Sequence, residues 1–346
     1  MTNEPTQLTK EDLYNTPRYL EFIANTSPYS HIIDSRQFNE KFIYEIIAKT
    51  EEMKSNLHSY ENDLNRKILA TDFYQPSTRT RFSFEAAIIK LGGSVISTEN
   101  AEQFSSVAKG ETLEDSIRYI SCLADFIVLR NRWNDSSFRA ANVSRVPVLN
   151  GGAGTAQHPT QALLDVFTIY ENFGRLTNLD IGVFNDLKNS RTVQSLVHLL
   201  SDFPGNRFYF CSIPSLMLPA ELEEDLSKKG VQYLKTNDLR EALSKSSVAY
   251  FTRLQAEYIK DEVERKRLME EIAENENKYC KYAITEDTIK FMPENSILLH
   301  PLPRGPEIDP RVDLDPRAKY FEQAENGLYV RMAILEILNR RNRKKP

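Results

Sequence analysis

Ser77, Thr78, Arg79, Thr80 and Arg81 fill five consecutive positions in the stretch FYQPSTRTRFSFE. Three hydroxyls and two guanidinium groups at the mouth of a helix can bind an anion. Pro76 stops the preceding apolar run, and Ser77 is a good N-cap residue. The first turn of a helix offers backbone N–H groups without intrahelical acceptors, at the positive end of its dipole. Hydroxyls and Arg79 added to such a turn make a site best suited to phosphate. The same residues also read as a capped helix with surface arginines, and the segment alone does not choose. It is not a Walker loop, because the glycines and the GK[ST] triplet are missing.

A second constellation is QHPTQ, residues 157–161, preceded by Gly151, Gly152 and Gly154, which permit a tight turn. His158 then stands at a strand-to-helix junction, and Gln161, three residues on, shares its face. An imidazole there can donate a hydrogen bond to a developing oxyanion. An isolated histidine is more often structural. In HPLPR, residues 300–304, Pro301 and Pro303 force an extended, kinked backbone. Its carbonyl oxygens can hold an amide NH2, or the segment is simply a turn. Arginines close three further segments: Arg130 after DFIVL, Arg191 after NDLKNS and Arg253 after VAYFT. Together they suit a substrate with several carboxylates or phosphates; singly, each is an exposed charge.

Something must bring these groups together. Strand-like and helix-like segments alternate along most of the chain. KILATDFY (67–74), GSVIS (93–97), DFIVLR (125–130) and VPVLNGG (146–152) read as strands. The spacing predicts a helix from Ser77 to Leu91, stopped by Gly92-Gly93, and another opened by Thr112 and Asp115 at capping-box spacing. QHPTQALLDVFTIYENFG carries apolar residues at helical spacing. The second half repeats the logic: LDIGVFND (179–186), RFYFCS (207–212), VQYLK (231–235), SVAYFTR (247–253) and SILLHPLPR (296–304) are strands. Helices separate them, one from about Arg191 to Phe203 and another in PAELEEDLSKKG. Repeated β–α units imply an α/β protein of two doubly wound domains with parallel sheets. Ligands are then expected at the carboxyl ends of the strands, in a cleft between the domains.

Composition narrows the class. The 346 residues suggest about two domains, and 40% hydrophobic with 27% charged residues gives room for large cores. No run approaches the roughly 18 apolar residues of a membrane span. A net charge of −5 argues against a nucleic-acid partner held by bulk electrostatics. Cys122, Cys211 and Cys280 are scattered and odd in number, which fits a reducing compartment and no structural zinc. Residues 1–30 lack the apolar core of a signal peptide and are too acidic for a transit peptide. The expectation is a cytoplasmic protein with no membrane and no nucleic-acid partner. Residues 259–284 are highly charged and read as a helix with a solvated face.

The motifs together have a familiar order. PSTRTRFSFE, SSVAKGET, IVLR, GGAGTAQHPTQALLD, NDLKNSRTVQSL, YFTRLQ, LLHPLPR and AENGLYVRMAIL follow one another as in the catalytic chains of aspartate carbamoyltransferases. The resemblance runs from HIIDSRQF (31–38) to the final helix. STRTR is shared by carbamoyltransferases generally, whereas HPLPR resembles the aspartate enzymes and ornithine enzymes typically carry HCLP. TRLQ resembles an aspartate-binding loop. The resemblance implies a carbamoyl-phosphate-binding domain at 1–159 plus 327–346, with 1–30 as an N-terminal extension, and an aspartate-binding domain at 160–326.

It also implies roles. Ser77, Thr78, Arg79 and Thr80 would bind the phosphate of carbamoyl phosphate. Arg130 would bridge phosphate and carbonyl oxygen, and Thr80 and His158 would polarise that carbonyl. Gln161 and the carbonyls of Pro301 and Leu302 would hold the carbamoyl NH2. Ser105 and Lys109 would come from a neighbouring subunit, making a homotrimer with shared active sites. Arg191 would grip the α-carboxylate of aspartate and Arg253 and Gln255 its side-chain carboxylate; the neighbour's Ser105 and Lys109 would bind carbamoyl phosphate, Lys109 aspartate as well. The implied reaction, carbamoyl phosphate plus L-aspartate to N-carbamoyl-L-aspartate plus phosphate, belongs to pyrimidine synthesis and needs no metal or organic cofactor. Regulatory chains or a dihydroorotase are possible partners in this family.

The chain departs from the pattern at Gln75, often Glu in the family and paired across the domain cleft, and at Tyr258, where one partner arginine would stand. These changes point to weak or absent cooperativity. Asn189-Ser190 replaces a common Tyr-Gly beside Arg191. Two other readings stay open: a carbamoyltransferase with another amino-acid acceptor, and a non-catalytic homologue kept as an assembly partner.

Overall fold

The computed structural model describes residues 8–256, 259, 261–272 and 280–342. The chain divides into two compact units, Met1–Phe167 with Glu325–Pro346, and Thr168–Ala324. Tyr258 and residues 273–279 of the charged stretch lie outside the described residues.

The first unit is built on a four-stranded parallel sheet of β1 (Ile68–Phe73), β2 (Ser94–Glu99), β3 (Phe126–Asn131) and β4 (Val148–Ala153), in the order β2-β1-β3-β4. β1, β3 and β4 are almost wholly buried, as expected for strands covered by helices on both faces, whereas β2 is an edge strand with a largely solvent-facing pattern. Ile117, Phe138 and Ala140 from the helices Leu113–Leu123 and Ser136–Val143 pack on Ala70, Ile127, Leu129 and Val148 of the sheet. The Thr112 hydroxyl accepts the Asp115 N–H at 3.2 Å, so half of the predicted capping box forms. The Asp115 carboxylate is drawn instead to Arg118, 2.9 Å away one turn on.

The second unit holds a five-stranded parallel sheet, β5 (Asp180–Phe184), β6 (Arg207–Cys211), β7 (Gln232–Thr236), β8 (Val248–Phe251) and β9 (Ile297–Leu299), ordered β7-β6-β5-β8-β9. Phe184 and Phe251, on neighbouring strands β5 and β8, stack with centroids 4.4 Å apart at the centre of its core. The charged stretch contributes the helix Glu262–Ile272, exposed on most of its surface except at Leu268.

Two helices precede the first sheet where sequence reading left only an extension: Lys10–Tyr14 and Pro17–Asn25. Their start signals were present. Thr9 and Asp12 form a reciprocal capping box, and Pro17 occupies the first helical turn. Leu13, Tyr19 and Ile23 supply the buried face that joins them to the core of the first unit.

Candidate active site

In a doubly wound sheet, a crevice forms where neighbouring strands send their connections in opposite directions. In the first unit that point lies between β1, which leads to β2, and β3, which leads to β4. Phe73 pairs with Arg130 there, and the Tyr74 N–H donates to the Arg130 carbonyl at 2.9 Å. The PSTRTR segment and Arg130 are therefore delivered to one place by register alone.

Pro76 breaks the strand and the chain enters the helix Thr78–Lys90 with Ser77 at the N-cap, in extended conformation (φ −158°, ψ 95°). The position is the expected one, but the Ser77 hydroxyl makes no capping bond to the helix. Its own N–H donates to Glu99 Oε1 at 3.3 Å, which ties the helix entrance to the end of β2. Thr78 and Arg79 are exposed on the first turn and Thr80 is buried. Arg81 turns away: its Nη2 lies 3.0 Å from Glu99 Oε2 and its Nη1 donates to the Ser97 hydroxyl at 3.3 Å. That arginine fastens the helix to β2.

His158 reaches the same region from the end of β4. Gly154 turns the chain with φ +46°, and a Cβ there would sit 2.1 Å from Asn134 Oδ1. Glycine is required on both counts. The imidazole Nε2 comes within 3.4 Å of Thr80 Oγ1, and both side chains are buried. Arg130 Nη1 donates to the Gly151 carbonyl at 3.3 Å, which holds the guanidinium at the β3–β4 rim.

Gln161, one helical turn beyond His158, donates from Nε2 to Asp165 Oδ1 at 2.8 Å. A carboxylate only accepts, so the amide is oriented and Oε1 is left as the acceptor on that side chain. Asp165 is fully buried, and its charge opposes the desolvation of Arg331, itself buried; burial still pulls the Arg331 guanidinium down to about 10. Sequence reading named Gln161 and missed these two supports. The i,i+4 spacing of Gln161 and Asp165 was the available signal.

Ser105 ends the short Ala101–Phe104 helix, its hydroxyl donating to the Ala101 carbonyl at 2.6 Å, and Lys109 stands exposed at the end of the next turn. Gln75 is half-buried, and its Oε1 has no hydrogen-bond partner among the described residues. Nearby on β1, Asp72 is buried; burial, with Glu111 adding to it, pushes its carboxyl up to about 7.

The second unit repeats the arrangement between β5, which leads to β6, and β8, which leads to β9. The loop after β5 carries Arg191 at the start of the helix Arg191–Leu200, and the loop after β8 carries Arg253 and Gln255. Asp186, fully buried, joins the two loops. It accepts the Asn189 N–H at 2.9 Å on Oδ1 and the Gln255 N–H at 2.9 Å on Oδ2. Thr252 adds a hydroxyl donated to the Phe184 carbonyl at 3.1 Å. The Asn189 side chain also points its amide at Asp186, 3.3 Å from each oxygen, so the Asn-Ser variant is anchored at this carboxylate. Asp186 was not read as a site residue.

The HPLPR segment leaves β9 in the same unit. Leu302 has φ +53°, a left-handed conformation that costs a leucine roughly 1–2 kcal/mol. The Leu302 N–H donates to His300 Nδ1 at 2.8 Å, so the imidazole proton sits on Nε2, 2.9 Å from Glu307 Oε1. Burial pushes the Glu307 carboxyl up, but the bonds from His300 and the backbone outweigh it and hold it below its ordinary value. His300 and Glu307 thereby set the backbone whose carbonyls, at Pro301 and Leu302, the sequence singled out.

Residues 30–171 match the family model described as aspartate/ornithine carbamoyltransferase, carbamoyl-P binding domain. Residues 177–338 match the model of the Asp/Orn binding domain of the same family. The chain is 43% identical over 310 residues to the Pisum sativum protein named aspartate carbamoyltransferase 1, chloroplastic, covering 89% of this chain and 78% of that one. The catalytic subunit of M. jannaschii aspartate transcarbamoylase superposes with a TM-score of 0.81 at 40% identity, covering 91% of this chain and all (100%) of that one. The Trypanosoma cruzi aspartate transcarbamoylase, solved with carbamoyl phosphate, superposes with a TM-score of 0.83 at 35% identity over 91% of this chain and 97% of its own. The chain belongs to the aspartate/ornithine carbamoyltransferase family, among its aspartate carbamoyltransferases.

Proposed function

We propose that this protein transfers the carbamoyl group of carbamoyl phosphate to the amine of L-aspartate, the step that commits carbon and nitrogen to pyrimidine synthesis. The observation that carries this reading is the buried Thr80–His158 pair beside the mouth of the PSTRTR helix. With the phosphate at the helix N-terminus, this hydroxyl and imidazole support a carbonyl oxygen held beside it. The T. cruzi relative, which carries carbamoyl phosphate in its structure, supports the same substrate here.

The helix N-terminus, Ser77, Thr78 and Arg79 hold the phosphate. Arg130, Thr80 and His158 point hydrogen-bond donors at the carbamoyl oxygen, and the Gln161 Oε1 with the Pro301 and Leu302 carbonyls accepts from its NH2. Arg191 takes the α-carboxylate of aspartate, and Arg253 and Gln255 take the side-chain carboxylate. The amine attacks the carbamoyl carbon, a C–N bond forms and negative charge grows on the carbonyl oxygen. Fixed donors there lower the barrier. The C–O bond to phosphate then breaks, and the phosphate leaves with the proton given up by the amine. No protein nucleophile is required.

Ser105 and Lys109 act in a neighbouring copy, within a homotrimer. Exposed Phe82 and Ile89, seven residues apart on one helix face, and exposed Ile96 on the edge strand β2 support a subunit contact beside that loop. The protein works in the cytoplasm, which suits a chain with three widely scattered cysteines. Phosphate release from carbamoyl phosphate tests the reading: it should depend on added L-aspartate, and release that ignores aspartate would refute it.

A further inference from the structure

The family model begins at residue 30, yet residues 8–25 pack on the turn that delivers His158. Tyr14, at the end of the first short helix, donates its hydroxyl to the Ala156 carbonyl at 3.0 Å and accepts from Gln157 Nε2 at 3.0 Å. Gln157 immediately precedes His158 and is buried. Its other amide atom, Oε1, accepts the Ser35 hydroxyl at 2.9 Å. The Tyr14 ring is itself fixed. Arg36 lies over it at 4.3 Å, and Asp34 clamps that guanidinium with bonds of 3.0 and 2.7 Å. On the other side of the turn, the Asn134 amide donates to the Leu8 carbonyl at 3.0 Å while its oxygen accepts the Thr155 N–H at 2.9 Å.

We infer that Tyr14 is a positioning residue for carbamoyl transfer, acting through Ala156 and Gln157 on the imidazole of His158. This rests on the role proposed above for His158. A hydroxyl that donates to one residue and accepts from the next has a fixed rotor and fixes both neighbours. The turn it holds has a left-handed glycine at one end and the imidazole at the other. Oxyanion donors work only when already in place, and a displacement of the order of 1 Å can cost up to about 10²-fold in rate. The segment before the matched family region is thus part of the catalytic frame of this chain.

Tyr14→Phe removes the hydroxyl and keeps the ring under Arg36. In the full-length protein it should lower kcat about tenfold, with KM for both substrates within about twofold. Ser35→Ala, which removes the hydroxyl bond to Gln157 Oε1 and leaves the longer one from the Ser35 N–H at 3.4 Å, should lower kcat in the same direction by less. In a His158→Ala background neither change should cost anything further, because nothing is left to position. A merely structural role would instead subtract equally in both backgrounds, and that additivity would overturn the inference. So would a Tyr14→Phe enzyme with kcat within twofold of the parent while His158→Ala is strongly impaired; this result leaves the reaction assignment standing. A His158→Ala enzyme with full kcat would remove the role of His158 and this inference with it.

Discussion

Thr80 and His158 lie 78 residues apart in the chain and 3.4 Å apart in the fold, and the proposed chemistry turns on that pair. His158→Ala should lower kcat by about 10²-fold, the usual cost of one oxyanion donor, with a smaller change in KM for carbamoyl phosphate. An unchanged kcat would reject the role. Asp72 offers a separate test of the same region. Its carboxyl, pushed to about 7 by burial and by Glu111, keeps its proton in the folded chain while the unfolded chain loses it near 3.8. The sign follows: between about pH 4 and 7 the folded state binds more protons, so stability falls with rising pH, by at most about 1.4 kcal/mol per unit. Above 7 both states are ionised and the penalty is constant. Asp72→Asn should therefore gain stability over the parent as pH rises from 4 to 7 in thermal unfolding. A pH-independent difference would contradict the burial. Of these residues, His158, Gln161 and the PSTRTR group were legible because each sits in a compact run of unusual types. Asp72 was not, since one carboxylate in a strand-like segment says nothing of what will cover it.

Elements place these residues through strand order. Each sheet reverses its winding once, and the loops at both reversals carry the arginines and hydroxyls that sequence reading had marked. The strands themselves were readable because buried parallel strands are short apolar runs bounded by turn residues. Their order was not, and it is the order that brings the loop after β5 beside the loop after β8. Asp186 then closes the two loops across 69 residues of sequence, a pairing no local pattern encodes. Losing a carboxylate that accepts two backbone N–H groups costs of the order of 1.5–3 kcal/mol at the site, roughly tenfold or more in binding. Asp186→Ala should raise KM for aspartate by about that factor and leave carbamoyl phosphate affinity, measured by calorimetry, within twofold. Equal losses for both substrates would mean that Asp186 serves the fold of its unit generally. The Lys10–Tyr14 and Pro17–Asn25 helices were hidden for a different reason. They are too short for periodicity to show, and only their caps announced them.

At the scale of the whole molecule, each chain of the proposed homotrimer lends Lys109 to a neighbour. Lys109→Ala and Arg79→Ala chains should each be nearly inactive alone and regain activity when mixed under conditions of subunit exchange, since hybrids rebuild some intact sites. Mixed trimers with no recovered activity would count against sharing. Family membership was legible from eight motifs in order, and the expected trimer came from that resemblance; that Phe82 and Ile89 are exposed, and so able to meet a neighbour, could not be told from sequence. The central claim is the reaction, and its most direct test is the acceptor. The purified chain should be given carbamoyl phosphate and, separately, L-aspartate, L-ornithine and other amino acids, with the product identified by mass. The expected product is N-carbamoyl-L-aspartate, with kcat/KM for aspartate at least about 10³-fold above any other acceptor, because with another acceptor Arg253 and Gln255 would lose their carboxylate partner. Carbamoylation of ornithine in preference to aspartate, or no carbamoylated product from any acceptor, would contradict it.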